Sequence, residues 1–362
     1  MPPKSRVVSH GDHEPTAGRN ALAKMCTEGY ERRVLLGLVS AIQRSNVSGG
    51  ILDEFANELG VEGLNKVCVT ANGIEGLTDS NVIHFMVTPL VAAIQMPATH
   101  RVHAVTELMR LKADPNLCVP TEHIEKPAMS PMFHAASCDF GPPVLQALAL
   151  AKGDLEHENG INRTGLRPLH VAAYRGHLQV CRYLLHAKVD PNNARLTDGT
   201  TPLHMAILAR NLEVVRVLIS SKADIELATY DINVTPMHMA AQTGDTSIAL
   251  LLLKNKASVR KYTDGGDEKL SSHVPVTDEH NTPLMRACAN CHYNMARMLI
   301  DQYGASVTHK TTTHQYSALD YANHAKIPPG TQQEVEAKTK EKNELVSYLA
   351  EMEKAHAGDD GY

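Results

Sequence analysis

Cys288-Ala-Asn-Cys291-His292 has the C-x-x-C-H spacing to which c-type haem is covalently attached. The same two thiols could supply half of a four-ligand zinc site. Either chemistry needs partners that the chain lacks: no second closely spaced Cys pair exists among its seven cysteines. The twenty histidines also invite a metal reading, and a redox- or metal-responsive protein acting through Cys288, Cys291 and nearby histidines is the competing function. No phosphate-binding loop, G-x-S-x-G elbow or H-E-x-x-H element occurs, and nothing in the pattern of carboxylates brings two into one cleft. The expectation is a protein that is not an enzyme and holds no metal or cofactor.

The elements that carry these residues explain them better than any ligand does. RPLHVAAYRGHLQVCRYLLHAKVDPN from Arg167, TPLHMAILARNLEVVRVLISSKADIE from Thr201 and TPMHMAAQTGDTSIALLLLKNKASVR from Thr235 align without gaps, with Pro168, Pro202 and Pro236 recurring every 34 residues. A fourth copy starts at Thr282. Its Pro283 falls 47 residues after Pro236, one period plus an insertion. Shorter matches begin at Thr88 (TPLVAAIQ), Ser130 (SPMFHAAS) and Ser317 (SALDYANH). A degenerate copy precedes them, in VLLGLVSAIQRSN from Val34 and GILDEFANELGVEGLN from Gly50.

Each copy reads as two short helices. Thr or Ser before Pro is a helix N-cap, and Pro at the first helical position has no N–H to lose. Ala172, Ala173, Ala206, Ala240 and Ala241 are small where two helices must approach closely, and Gly176 and Gly244 turn the chain back. Val180, Leu184, Val214 and Leu218 recur at helical spacing on the second helix. Such a pair cannot bury its apolar face alone, so copies must stack.

This pattern resembles the ankyrin repeat, over roughly residues 31–352 and seven to eight copies. The resemblance implies an all-α solenoid of stacked helix-turn-helix units with β-hairpin loops. It assigns residues 1–30 to a polar tail, 31–86 to a degenerate first copy and connector, and 87–309 to repeats with insertions near 117–129 and 262–281. A capping copy at 310–355 and a tail at 356–362 complete it. His134, His170, His204 and His238 then occupy the fourth place of the TPLH-like element, where the family's imidazole bridges neighbouring copies; His177 and His292 fill its Gly-His position. Cys288 falls at a small Ala position and Cys291 at the Gly position, so a haem there would break the helix pair. One departure stands out: the position after the second helix, usually Gly in the family, holds Lys112, Lys152, Lys188, Lys222 and Lys256, and only Gly304 conforms.

The implied function is a protein–protein adaptor or scaffold, most simply a fixed subunit of a larger intracellular assembly such as a cytoskeletal one, with a dissociable inhibitor-type regulator as the alternative. Its partner surface would be a concave face lined by hairpins and first helices. Carried over copy by copy, the exposed positions are Arg163, Thr164, Leu166, Tyr174 and Arg175; Thr197, Asp198, Thr200 and Leu208; and Asp231, Ile232, Val234 and Gln242. Beyond the insertion come Asp278, Glu279, Asn281 and Asn290, then His314 and Tyr316. Leu166, Leu208, Ile232 and Val234 have no evident core role and are expected to form an exposed apolar strip. A net charge of −5 argues against nucleic acid or an anionic membrane as the main partner, and no small-molecule substrate is expected. Scattered, odd-numbered cysteines and the absence of an apolar leader or a membrane-length apolar run predict a soluble chain in a reducing, cytoplasmic compartment.

Overall fold

The computed structural model describes residues 38, 42, 50–65, 68–71, 84–95, 98–118, 130–138, 142–158, 165–230, 232–261, 263, 281–312, 314–327 and 329–357. The expected tail at 1–30 lies outside these residues, as do most of the insertions near 117–129 and 262–281; of the tail expected at 356–362, residues 358–362 lie outside and the first two are helical. The chain divides into two compact units, residues 1–131 with 146–153 and residues 132–145 with 154–362.

The first unit contains α1 (Ile51–Leu64), β1 (Cys68–Ala71), β2 (His84–Val87), α2 (Pro89–Ile94) and α3 (Ala98–Arg110). The strands pair antiparallel with Cys68 opposite Val87. The sequence pattern places only a connector there; the two runs are short and twelve residues apart, although Asn72-Gly73 directly after β1 is a turn signal. Thr88 caps α2 as expected, its hydroxyl accepting the Val91 N–H at 3.2 Å, and all six residues of α2 are buried. The Asn65 side chain accepts the Asp114 N–H at 2.7 Å, tying the end of α1 to the loop after α3.

The chain passes between the units within α4 (Pro131–Ser137) and α5 (Pro142–Leu150). The second unit continues with α6 (Pro168–Arg175), α7 (Leu178–His186), α8 (Pro202–Leu208), α9 (Leu212–Ser220), α10 (Pro236–Thr243) and α11 (Thr246–Lys254). It ends with α12 (Pro283–Ala289), α13 (Tyr293–Asp301), α14 (Ala318–His324) and α15 (Gln332–Ala357). First helices pack in series, α6 on α8 on α10 on α12 on α14, and the second helices α7, α9 and α11 form a parallel series. Ala172, Ala173, Ala206, Ala240, Ala241, Ala287 and Cys288 are fully buried where the helices close on one another. The architecture is the expected all-α solenoid of helix pairs.

At three junctions between copies the chain closes on a base of the same kind. Thr229 N–H donates to the Val234 carbonyl and its hydroxyl accepts Val234 N–H. Thr311 and Tyr316 repeat this, and so do Thr263 and Asn281. Four residues separate the first two pairs, and seventeen separate Thr263 from Asn281. The ends of the third pair are thus joined like those of the first two, and α12 packs on α10 as the other first helices pack on theirs. In the last copy the second helix is the long α15, which starts at Gln332 and is capped by reciprocal bonds between Thr331 and Glu334. Leu345 and Leu349 of α15 are fully buried, and α15 packs on α13 and α14.

Candidate functional site

The TPLH-like histidines form a ladder. The Thr201 N–H donates to Nδ1 of His204 at 3.2 Å, so the proton sits on Nε2, which donates to the Val234 carbonyl of the next copy at 3.0 Å. His170 reaches the Thr200 carbonyl (3.1 Å) and His238 the Asn281 carbonyl (3.0 Å) in the same way. All three rings are buried, and burial pushes their pKa values down, to about 4 for His170 and His204 and to about 3 for His238. A second ladder runs behind the first helices. His177 contacts the Ser137 carbonyl at 3.2 Å and His292 the Gln242 carbonyl at 3.0 Å, while Asn211, at the equivalent place, donates to the carbonyls of Ala173 and Tyr174. His170, His177, His204, His238 and His292 are thus engaged with backbone and have no free nitrogen turned to a common centre.

The Cys288/Cys291 motif is built for packing. Cys288 is fully buried in α12 and Cys291 takes the turn that Gly176 and Gly244 take elsewhere, with a φ of 56°. Burial raises both thiol pKa values, the opposite of what a nucleophilic or metal-binding thiolate requires. Among the described residues, no group of three His, Cys, Asp or Glu side chains is placed to hold a metal ion.

The predicted contact residues divide by burial. Tyr174, Arg175, Leu208 and Asn290 are exposed, and so are Thr197 and His314. Leu166, Asp198, Thr200, Gln242 and Tyr316 are half-buried. Asp198 pairs with Arg195 at 3.2 Å and accepts the Thr200 N–H, and Gln242 accepts from the Arg286 guanidinium at 2.8 Å. Tyr316 stacks on His324 and lies against His314. Arg163, Thr164, Asp231, Asp278 and Glu279 lie outside the described residues.

Ile232, Val234 and Asn281 are corrected by the structure. They are only 4%, 3% and 2% exposed. Val234 and Asn281 immediately precede the next helix N-cap, and their carbonyls are the ones that His204 and His238 hold against the preceding copy. That bond draws the side chain into the interface between copies. Ile232, on the same short arm, is buried with them, as an apolar side chain gains about 1.5–3 kcal/mol by burial. The expected strip thus loses two of its four members.

Two exposed apolar residues replace them. Leu196 and Tyr230 are 56% and 63% exposed on successive hairpins, while Tyr174 and Leu208 are 49% and 51% exposed at the C-terminal ends of α6 and α8. Each pair is 34 residues apart, so the period that aligns the copies would have found Leu196 and Tyr230 too. Tyr230 packs across Gly199, where an added Cβ would meet its ring at 2.8 Å.

An open cleft of about 620 Å³ lies apart from these residues, lined by Arg210, Thr243, Gly244, His292, Lys338, Glu341 and Glu344 among others. Its charges offset one another: Lys338 pairs with Glu341 at 2.7 Å, and the Arg210 guanidinium donates to the Thr243 carbonyl.

No helix among the described residues is long and apolar enough to cross a membrane. A family model described as ankyrin repeats, in three copies, matches residues 132–229 and again 226–311. No curated protein matches the chain.

Proposed function

Residues 132–311 of this chain are ankyrin repeats, and from that premise we propose that the protein is a non-enzymatic adaptor that binds another protein through its first helices and hairpins. Ankyrin repeats are in general protein–protein interaction modules and typically lack enzymatic activity. The observation that carries the proposal is the pair of exposed apolar ladders, Tyr174 with Leu208 and Leu196 with Tyr230, flanked by the charged residues Arg175 and Asp198. Apolar anchors with a polar rim are the usual composition of a binding surface. The ladders of histidine and asparagine hold the backbone beneath these anchors, so little order need be gained on binding. A fixed place in a larger assembly, such as a cytoskeletal one, fits a surface whose backbone is already held before binding.

Tyr174→Asp combined with Leu208→Asp tests this. Because both side chains are about half exposed, the variant should keep its melting temperature within about 2 °C of wild type while losing the proteins that co-purify with wild type. Unchanged recovery of those proteins would refute the proposed face. Leu203→Ala, a fully buried truncation, is the contrasting control and should cost about 2–5 kcal/mol.

A further inference from the structure

Five copies end their second helix on a lysine that the backbone does not favour. Lys112, Lys152, Lys188, Lys222 and Lys256 have φ of 64°, 66°, 69°, 69° and 72°, the left-handed region in which a side chain is strained and glycine is not. The conformation is fully enforced. In each case the lysine N–H and the N–H after it bond back to carbonyls of the last helical turn; for Lys188 these bonds are to Leu185 (3.1 Å) and, from Val189, to Leu184 (3.1 Å). The Asn192 side chain also donates to the Lys222 carbonyl, and Asn116 to that of Lys152. Glycine is usable at this position, since Gly304 occupies it in a later copy with a φ of 64°. A cation at a helix C-terminus recovers only part of the strain.

The side chains have no internal use. All five are exposed, and none enters an ion pair or a side-chain hydrogen bond. The nearby carboxylates keep their charge but pair with none of these lysines. Asp190 and Asp224, two residues on, turn into their own loops to accept the Asn192 and Glu226 N–H groups. Glu226 accepts the Ser258 N–H and pairs with Lys261. Lys188, Lys222 and Lys256 are therefore a row of free cations in the second unit, one per copy, on a chain that is net negative. Lys112 and Lys152 are a like pair in the first unit.

We propose that the row of Lys188, Lys222 and Lys256 is a second interaction surface, which receives an extended acidic polypeptide with a carboxylate at every third residue. Packed helices lie about 8–10 Å apart, which sets the spacing of the cations. In a polyproline II segment every third residue returns to the same side after about 9.3 Å. The two rulers match. Double-stranded DNA, with one charge per about 1.7 Å, is far denser than this row, and an anionic membrane would gain little from a single file of charges on a negative protein. The surface is formed by the loops that follow the second helices, so it is distinct from the first-helix and hairpin face.

The test is binding of the full chain to a labelled peptide of about six Glu-Pro-Ala units, compared by fluorescence anisotropy with a peptide of equal composition whose glutamates are clustered at one end. Wild type should prefer the spaced peptide, with an affinity that falls as salt is added. Lys188→Gly, Lys222→Gly and Lys256→Gly together should weaken that binding about tenfold and raise the melting temperature, because each removes a strained residue. Asn at the same three positions, also tolerant of positive φ, should weaken binding likewise and guards against a specific defect of the glycines. Equal binding of the two peptides, binding untouched by either variant, or tighter binding to duplex DNA or phosphatidylserine vesicles would overturn the proposal. A lower melting temperature of the glycine variant would overturn its premise of strain.

Discussion

The buried histidines set a pH dependence that can be worked out in sign. His170, His204 and His238 have native pKa values of about 4, 4 and 3 against an ordinary value of 6.5. The unfolded chain binds protons at these rings that the native chain refuses. Their contribution is thus fully present above pH 6.5 and is lost as pH falls from 6.5 toward 4, or toward 3 for His238, by about 1.4 kcal/mol per pH unit for each ring. The urea midpoint at pH 5 should lie well below that at pH 7, and a midpoint that does not move would show that the rings are not held neutral. His204→Ala should cost about 2–4 kcal/mol at pH 7, because it empties a buried site and leaves the Val234 carbonyl and Thr201 N–H without the bonds they now make. The thiols behave in the opposite sense. Cys181 is pushed up to about 12 by burial, so it should react with a thiol reagent only when the protein opens.

At the scale of the helix pair, the turn between helices decides which residue is tolerated. Gly244 has a φ of 74°, and a Cβ there would meet the His292 ring at 2.5 Å; Gly176 would likewise meet Asn211 at 2.7 Å. His292 and Asn211 are the side chains that bond back to the preceding copy, so each glycine makes room for the following copy's bridge. Arg210 and Cys291 occupy the same turn with φ of 58° and 56°. The copy after Arg210 places Asp245 there, which caps its own helix by accepting the Ser247 and Ile248 N–H groups. Gly244→Ala should therefore cost more than the roughly 1 kcal/mol of left-handed strain alone, since His292 must also move. Thermal unfolding of the variant beside His292→Ala and the double variant measures this. A double variant no better than the sum of the two would show that the ring is not the obstacle.

At the scale of the array, each described helix pair of the second unit packs on the pairs beside it, so the end of the array is its weak point. The second unit ends on α15, held by Leu345, Leu349 and the Tyr348 hydroxyl, which donates to Asp301 at 2.5 Å. Leu345→Ala with Leu349→Ala should open α13, α14 and α15 before α8 and α10. Hydrogen exchange should then show protection lost in residues 293–357 first, with the amides of 202–243 nearly unchanged. Uniform loss across the unit would mean that it unfolds as one block rather than from its end.

The sequence alone determined the helix pairs, their period and their partners in the stack. It did so because caps, small residues and apolar faces are local necessities that repeat every 34 residues. It also placed six of the twenty histidines and the Cys288/Cys291 motif at set positions of the repeat. What it could not determine was which residues of the hairpin arms see solvent. Ile232 and Val234 look like surface residues in a linear pattern, and Leu196 and Tyr230 look no different, yet the first two are buried and the second two exposed. A hairpin arm lies on the preceding copy along one side and meets solvent on the other. The choice of side is made by bonds such as His204 to Val234, which join residues 30 apart. Only the stacked structure contains that choice, and it equally shows that Lys188, Lys222 and Lys256, strained yet unpaired, follow the packed second helices α7, α9 and α11.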